Sequence, residues 1–281
     1  MLVQYWNFIN RPLPVDPGPT GFEAIPNFVF KCVLWTIFFS ILNFLVPLVL
    51  RNVATKWYNE LDKRKRYELP SYVVCLVHHF ALVPIAWIHI YNDYQLTPEQ
   101  AAVVQYGFVE ATIAPFCVGY LMGDTLCFAI PEALKLRFEY IIHHTLTLWL
   151  VLSTIYASSG LNRFIPHLLI CDTTNIFFNV AWLLRTAGLR GHPFVTLLEV
   201  CFAIVFFFTR VINMPLVFFM ITLSSEAVGL GYARFTLLPI SLLQWYWFSK
   251  IASTMFSRLS GGESETSSAS KGAKKTPKKK E

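Results

Sequence analysis

The sequence predicts an all-α protein, a polytopic bundle of about seven transmembrane helices with a lumenal N-terminus and a cytosolic C-terminus. Hydrophobic residues make up 55% of the 281-residue chain, and charged residues only 14%. The mean hydropathy is +0.49. The apolar residues lie in blocks of about 20, which is the length of helix that crosses a hydrocarbon core of about 30 Å. This balance excludes an ordinary soluble domain.

The apolar blocks define the predicted spans in chain order. They cover residues 28–50, 71–91, 107–130, 140–157, 164–186, 195–222 and 236–256. The fourth block is short, so a count of six spans is the alternative. Each block is long enough to cross the membrane as an α-helix, because a helix rises about 1.5 Å per residue.

The distribution of basic residues favours seven spans and sets their orientation. With seven spans, one side of the membrane receives most of the lysines and arginines, in segments 51–70, 131–139, 185–194 and 257–281. The opposite side holds Arg11, Lys31, Arg163 and Arg234. Because positively charged loops stay in the cytosol, we predict that the basic side is cytosolic and the N-terminus lumenal.

These spans divide the chain into four regions. They are a Pro-rich lumenal N-terminus (1–27), a first membrane anchor (28–55), the main transmembrane domain (56–256) and a disordered basic cytosolic tail (257–281). The tail is too polar to bury a core. Because the basic excess lies largely in this tail and the 51–70 loop, it does not indicate nucleic-acid binding.

The last residues of the tail contain a candidate localisation signal. Lys278-Lys-Lys-Glu281 resembles the dilysine motif through which the coat-protein retrieval machinery binds membrane proteins, here by Lys278 and Lys279. We therefore predict a multi-pass protein of the endoplasmic reticulum membrane. A lysine run that only keeps the tail soluble is the alternative.

Ionisable side chains inside the predicted spans mark a candidate site, because such groups are costly in hydrocarbon unless they face the bundle interior with a partner. Asp124 lies near the end of the third span, and His143 and His144 begin the fourth. We expect these three side chains at a similar depth. The second span contributes His79 from another histidine pair.

The fifth and sixth spans add further polar groups. Asp172, Asn175 and Asn179 are three and seven residues apart, which places them on one face of a helix. Arg210 in the sixth span needs an anion, and we expect Asp172 as its partner, with Glu110 as the alternative. A purely structural ion pair is the competing interpretation. For Asn179, the competing interpretation is a hydrogen bond that only joins two helices, which is the usual role of an amide inside a membrane.

These landmarks together resemble the TLC-domain family, which includes translocating-chain-associating membrane proteins, ceramide synthases and related lipid-homeostasis proteins. The resemblance runs from about residue 56 to 255, and the compact chain is closest in size to the small TLC-domain-containing proteins. The landmarks are Gly119-Tyr-Leu-Met-Gly-Asp124, His143-His-Thr-Leu-Thr147, Asp172 with Asn175, Phe208-Thr-Arg210-Val and Gln244-Trp-Tyr-Trp247.

The resemblance implies a lipid-homeostasis protein that binds a membrane lipid or acyl-CoA in a polar intramembrane groove. In ceramide synthases a histidine pair and a later Asp-x-x-Asp are functional, and these positions correspond here to His143, His144, Asp172 and Asn175. An N-acyltransferase acting on a sphingoid or other acceptor would use one imidazole as general base, oriented by Asp124 or Asp172. The predicted catalytic residues are therefore His143, His144, Asp172 and Asp124, and the substrate-binding residues are Asn175, Asn179, Arg210 and His79.

A non-enzymatic lipid-binding or trafficking protein is the competing function. Asn175 favours it, because an amide replaces the second acid of the motif and cannot take a proton. If acyl-CoA is a substrate, its phosphates are expected near the basic residues Lys63, Arg64, Lys65, Arg66, Lys135 and Arg137. A seven-helix signalling receptor fits the topology but lacks the Asp-Arg-Tyr and Asn-Pro-x-x-Tyr motifs of that class.

We predict neither a metal nor a bound cofactor. Membrane di-iron enzymes need about eight histidines in H-x-x-x-H and H-x-x-H-H boxes, whereas the seven histidines here show neither spacing. A zinc site built from His79, His143, His144 and Asp124 is the alternative. The six cysteines lie in or beside apolar spans without a C-x-x-C pair, so we expect free thiols that pack as small apolar residues.

Overall fold

A computed structural model describes residues 25–95, 112–157, 164–223 and 235–259, and within these ranges the regular elements are all helices. The first half contains α1 (Ile25–Val53), α2 (Thr55–Glu60), α3 (Lys63–Gln95), α4 (Ala114–Asp124), a π-helical turn (Thr125–Ala129) and α5 (Ile130–Ala133). The second half contains α6 (Glu139–Ala157), α7 (Phe164–Leu169), a 3₁₀ turn (Ile170–Asp172), α8 (Thr173–Thr186), α9 (Pro193–Phe206), a second π-helical turn (Phe207–Ile212), α10 (Asn213–Leu223) and α11 (Leu237–Leu259).

Within the described ranges, five helical stretches are long and apolar enough to cross a membrane. They are Asn27–Val53, Lys63–Tyr91, Ala114–Ala133, Phe164–Thr186 and Pro193–Leu223. The other two predicted spans form α6 and α11, which have 19 and 23 residues. The all-helical, multi-span fold is therefore confirmed, while the count of seven and the orientation stay predictions.

A seam of small residues joins α1 to α4. A Cβ atom added at Gly119 would lie 2.2 Å from the Cβ of Trp35, and one at Gly123 would lie 3.1 Å from the Cβ of Phe39. Four-residue spacing of glycines places both on one helix face, where they let two backbones approach closely. Part of the Gly119–Asp124 landmark is thus a packing device.

Three of the long membrane helices are interrupted next to residues of the candidate site. Asp124 immediately precedes the first π-helical turn, Asp172 ends the 3₁₀ turn, and Arg210 lies inside the second π-helical turn. Such irregular turns free backbone carbonyls, which must be satisfied within the protein when water is absent.

Threonine hydroxyl groups satisfy carbonyls at each interruption. Thr125 donates to the carbonyl of Leu121 at 2.6 Å, and Thr174 donates to that of Cys171 at 2.8 Å. Thr209 donates to the carbonyl of Val205 at 2.8 Å. The local sequence therefore supports the breaks that aim the site residues inward.

Candidate functional site

The polar side chains of the bundle form two centres. We define the Asp124 centre as Ser71, Asp124, Thr125 and His144, and the Asp172 centre as His79, Asp172, Asn175, Arg210 and Gln244. Ser71, which belongs to the first centre, and His79, which belongs to the second, are eight residues apart on α3. One face of α3 therefore serves both centres, about 12 Å apart along the helix axis.

In the Asp124 centre, both ring nitrogens of a histidine have a polar neighbour. Ser71 Oγ donates to Asp124 Oδ1 at 2.8 Å, and Asp124 Oδ2 lies 3.5 Å from His144 Nε2. Thr125 Oγ1 lies 3.1 Å from His144 Nδ1. Because the single hydroxyl proton of Thr125 goes to a carbonyl, the proton in this last contact belongs to Nδ1. His144 is thus a positioned ring, and Asp124 is the acid that holds it.

In the Asp172 centre, Arg210 uses all of its guanidinium nitrogens. Nη2 lies 3.5 Å from Asp172 Oδ1 and donates to Asn175 Oδ1 at 3.2 Å. Nη1 donates to Gln244 Oε1 at 3.2 Å, and Nε donates to Thr174 Oγ1 at 2.9 Å. The predicted pairing of Arg210 with Asp172 is confirmed.

The same contacts fix the amide of Asn175. A guanidinium only donates and a carboxylate only accepts, so Oδ1 faces Arg210 while Nδ2 donates to Asp172 Oδ1 at 3.2 Å. Nδ2 also lies 3.1 Å from His79 Nε2. His79 Nδ1 lies 2.5 Å from the carbonyl oxygen of Cys75 and therefore carries a proton. Nε2 of the same ring lies 3.4 Å from Asp172 Oδ2, where a second proton would be stabilised.

His143 lies between the two centres. Its ring centroid is 5.8 Å from that of His144, and Arg210 and Asp172 both interact with it electrostatically. The structure therefore places the histidine pair beside the acid that the sequence marked, although the carboxylate that contacts His144 belongs to Asp124.

Three buried polar atoms near this junction have no hydrogen-bond partner among the described residues. They are Nδ1 of His143, Nε2 of Gln244 and Oγ of Ser241. Gln244 is 0% and Ser241 7% exposed. Ser241, Gln244 and Trp247 are three residues apart on α11, and the Trp247 ring lies 5.9 Å from that of His143. α6 and α11 thus bring unpaired hydrogen-bonding groups together beside Arg210.

Comparison with protein families identifies the chain. Residues 68–253, about two-thirds of the sequence, match the family model of the TLC domain. The chain belongs to the TLC-domain family. Both centres of this TLC-domain protein lie within the matched residues, and membership indicates a membrane protein with a lipid-related function. Comparisons with curated proteins and with solved structures gave no match.

The remaining predicted residues do not belong to either centre. Asn179 donates to Cys75 Sγ at 2.9 Å, one turn beyond the Asp172 centre. Glu110, Lys278 and Lys279 lie outside the described residues. Sequence reasoning missed Ser71, and it noted Gln244 only as a landmark of the resemblance. The three-residue spacing of Ser241, Gln244 and Trp247 was the available signal.

Most of the basic residues proposed for CoA phosphates already have acidic partners. Arg64 pairs with Glu68 at 2.7 Å, and Lys65 pairs with Asp62 at 3.3 Å. Glu132 pairs with Lys135 at 2.7 Å and with Arg137 at 3.0 Å. The hydrogen bond with Glu132 raises the pKa of Lys135, so the ammonium group stays charged and remains paired with this carboxylate. Phosphate binding there would have to compete with these contacts.

The proposed zinc ligands do not converge. Within the described ranges, no three His, Cys, Asp or Glu side chains are placed to hold a metal ion. His144 and Asp124 belong to one centre and His79 to the other. The geometry gives no support to a zinc site at these four residues.

Proposed function

We propose that this TLC-domain protein binds an acyl lipid or an acyl thioester. The polar carbonyl group of the ligand would lie between α6, α11 and the Asp172 centre. The observation that carries the proposal is the Gln244 amide. Its Oε1 is fixed by Arg210, so Nε2 points away as a buried donor that has no partner among the described residues. An unpaired buried donor costs about 1–3 kcal/mol, and a ligand oxygen would remove that cost.

The neighbouring groups fit the same ligand chemistry. Ser241 Oγ and His143 Nδ1 add two more unpaired polar atoms, whereas the surrounding helices are predominantly apolar. A carbonyl, ester or amide in an otherwise apolar molecule matches that combination of a few polar atoms and apolar walls. Membrane lipids and fatty acyl thioesters have this chemistry.

Lipid co-purification tests the proposal. The protein is purified in mild detergent, and bound lipid is quantified by mass spectrometry for the wild type, Gln244→Leu and His143→Phe. We expect stoichiometric lipid in the wild type and at least a tenfold loss in both variants. His192→Asn is the matched control, because His192 caps α9 at the surface and asparagine can also cap a helix. Wild-type protein without lipid would contradict the proposal.

Acyl transfer is the second candidate function, and His143 favours it. Asp124 and Thr125 contact His144 at both ring nitrogens, while Nδ1 of the adjacent His143 has no hydrogen-bond partner within the described ranges. One imidazole is thus available as general base for an amine or hydroxyl acceptor, and its neighbour is fixed in place.

An acyl-transfer assay separates the two functions. Purified protein is incubated with acyl-CoA and a long-chain base, and the products are read by mass spectrometry. Product formation that is lost in His143→Ala and retained in His192→Asn would support an acyltransferase. Stoichiometric lipid without transfer from any acyl-CoA would support a non-enzymatic binding protein.

The proposed cellular site is the endoplasmic reticulum membrane. It rests on the dilysine pattern at Lys278 and Lys279 together with the multi-span helical fold. A fluorescent fusion at the N-terminus, which leaves the motif free, should co-localise with a reticulum marker. Replacing both lysines with alanine should shift it to later compartments, and an unchanged distribution would contradict retrieval through this motif.

A further inference from the structure

The geometry points to Cys75 as a covalent acceptor for a fatty acyl group. This inference deepens the proposed function, because it requires that an acyl thioester reaches the polar interior. Cysteine, histidine and carboxylate side chains come together here in the order that nucleophilic catalysis requires. The sequence alone had assigned Cys75 to packing.

Three contacts define the constellation. Cys75 Sγ lies 3.1 Å from His79 Nδ1. His79 Nε2 lies 3.4 Å from Asp172 Oδ2, so a carboxylate orients the ring from its opposite edge. Asn179 Nδ2 donates to the sulfur at 2.9 Å. A nucleophile beside an imidazole that is itself held by an acid is the arrangement of activated thiols and hydroxyls.

Two hydrogen-bond donors lie against the sulfur of Cys75. Asn179 Nδ2 donates to it, and the Nδ1–H group of His79 is shared between the sulfur at 3.1 Å and the carbonyl oxygen of Cys75 at 2.5 Å. A thiolate accepts such bonds more strongly than a thiol, and it is the reactive species. When His79 carries both protons, its Nε2–H faces Asp172.

The other cysteines lack this environment. The Cys171 thiol donates to the carbonyl of Thr209 at 2.8 Å, the thiols of Cys32 and Cys117 are buried in the apolar core, and the Cys127 thiol has a hydrogen bond with Ser40. Cys201 is half-buried, as Cys75 is, and has no hydrogen bond to a histidine among the described residues. Cys201 is therefore the matched comparison for a half-buried thiol without a neighbouring imidazole.

Cys75 is also placed where a thioester could reach it. It lies four residues beyond Ser71, about 6 Å along α3 from the start of the apolar stretch. An acyl-CoA molecule could keep its charged nucleotide at the membrane surface while its thioester enters the bundle. Its acyl chain would then extend among apolar side chains.

The reaction balances with these groups alone. The Cys75 thiolate attacks the carbonyl carbon of the acyl thioester, and a new carbon–sulfur bond forms. The bond between that carbon and the sulfur of CoA breaks. The proton that the Cys75 thiol gives up goes to the leaving CoA thiolate, with the His79 imidazole as its carrier, so the products are S-acyl-Cys75, neutral His79 and free CoA.

Labelling with a palmitoyl-CoA analogue that carries a terminal alkyne tests the inference. Purified full-length protein is incubated with the probe in detergent, coupled to a fluorophore and treated with neutral hydroxylamine, which cleaves thioesters. Peptide mass spectrometry locates the label. We expect hydroxylamine-sensitive label on Cys75, its loss in Cys75→Ser and its retention in Cys201→Ser.

Variants of His79 separate an activated thiol from a merely accessible one. His79→Gln should slow labelling of Cys75 at least tenfold while thermal unfolding confirms that the variant folds. Asp172→Asn should slow it less, because the imidazole remains. Labelling of His79→Gln at the wild-type rate, or equal labelling of Cys75 and Cys201, would overturn the inference.

Lipid co-purification distinguishes a failure of the Cys75 inference from a failure of the proposed function. Wild-type protein that retains lipid but gives no thioester label would refute the role of Cys75 and leave lipid binding standing. Cys75→Ser should retain lipid, whereas Gln244→Leu should lose it. Absence of both bound lipid and label in folded wild-type protein would refute both.

Discussion

Two pairs of adjacent histidines in this protein have the same sequence but different surroundings. His78 and His79 lie on α3, and His143 and His144 lie on α6. In each pair the second histidine lies within 3.5 Å of a carboxylate from another helix. Successive residues of a helix point about 100° apart, so the first histidine of each pair faces a different neighbour.

The first histidines of the two pairs, His78 and His143, differ in the groups that surround them. His78 is 1% exposed, and neither of its ring nitrogens has a hydrogen-bond partner in the described part of the chain. Its ring stacks on those of Tyr120 and Phe116, with centroid distances of 3.9 Å and 5.2 Å. His143 is half-buried and faces the polar edge of α11 through Trp247. An aromatic enclosure makes one ring a packing element, whereas a polar junction leaves the other ring free to meet a ligand.

The largest expected effect concerns the carboxylate that holds His79. Arg210→Met should destabilise the folded protein by about 3–5 kcal/mol, because Asp172, Asn175 and Gln244 would all lose the buried guanidinium that pairs with them. Thermal unfolding in detergent measures the change. Arg185→Met is the control, since the Arg185 side chain is 28% exposed against 6% for Arg210, and its pair with Glu199 should contribute at most about 1 kcal/mol. Equal shifts would show that the Asp172 centre is not specially dependent on Arg210.

The second prediction opens the aromatic enclosure of His78. Gly119→Val should cost about 1–3 kcal/mol, because its Cβ would overlap that of Trp35 and push α1 away from α4. Phe39 of α1 would then no longer cover His78. Gly123→Ala has more room and should cost less. Hydrogen exchange around His78 should rise in the valine variant alone, and unchanged exchange would contradict the enclosure.

The third prediction concerns the amide next to His79. Asn175→Asp would place a second carboxylate beside Asp172, and we expect a destabilisation of about 1 kcal/mol at pH 7. The loss should shrink as the pH falls, because protonation of the introduced carboxylate removes the repulsion. Unfolding curves at pH 5 and pH 7 measure this, with Asn52→Asp on exposed α1 as control. A pH-independent loss would point to packing instead of charge.

The smallest expected effect on stability is that of His78→Phe. A phenyl ring keeps the aromatic stacking and removes two unpaired polar atoms, so we expect a change within about 1 kcal/mol, neutral or stabilising. Thermal unfolding measures it. A loss above about 2 kcal/mol would mean that His78 has a polar partner, such as an ordered water, and that the two pairs are more alike than proposed.

The sequence predicted the helical, multi-span fold because apolar blocks of membrane length have few other folded forms. It also predicted the Arg210–Asp172 pair, since two opposite charges in neighbouring spans are stable together and costly apart. The contact of His144 with Asp124 agrees with their expected common depth, although the sequence left Asp124 and Asp172 open as the orienting acid. Composition and depth were sufficient for these features.

Other features depend on helix rotation, which the sequence does not specify. The two π-helical turns shift the register of side chains near Asp124 and Arg210. The pattern of apolar residues in the sequence does not predict these turns. Cys75 and His79 are four residues apart on α3, so the spacing alone allowed their contact, whereas the contacts of Asp172 with His79 and of Asn179 with Cys75 arise only when other helices are placed beside α3. Residue types alone could not distinguish His78 from His143.

Bound lipid in matched histidine variants tests the central claim most directly. Wild type, His78→Phe and His143→Phe are purified identically, and lipid per protein is measured by native mass spectrometry. The account predicts full occupancy in the wild type and His78→Phe and at least a tenfold loss in His143→Phe, with all three folded. Equal lipid content in the two variants would contradict it.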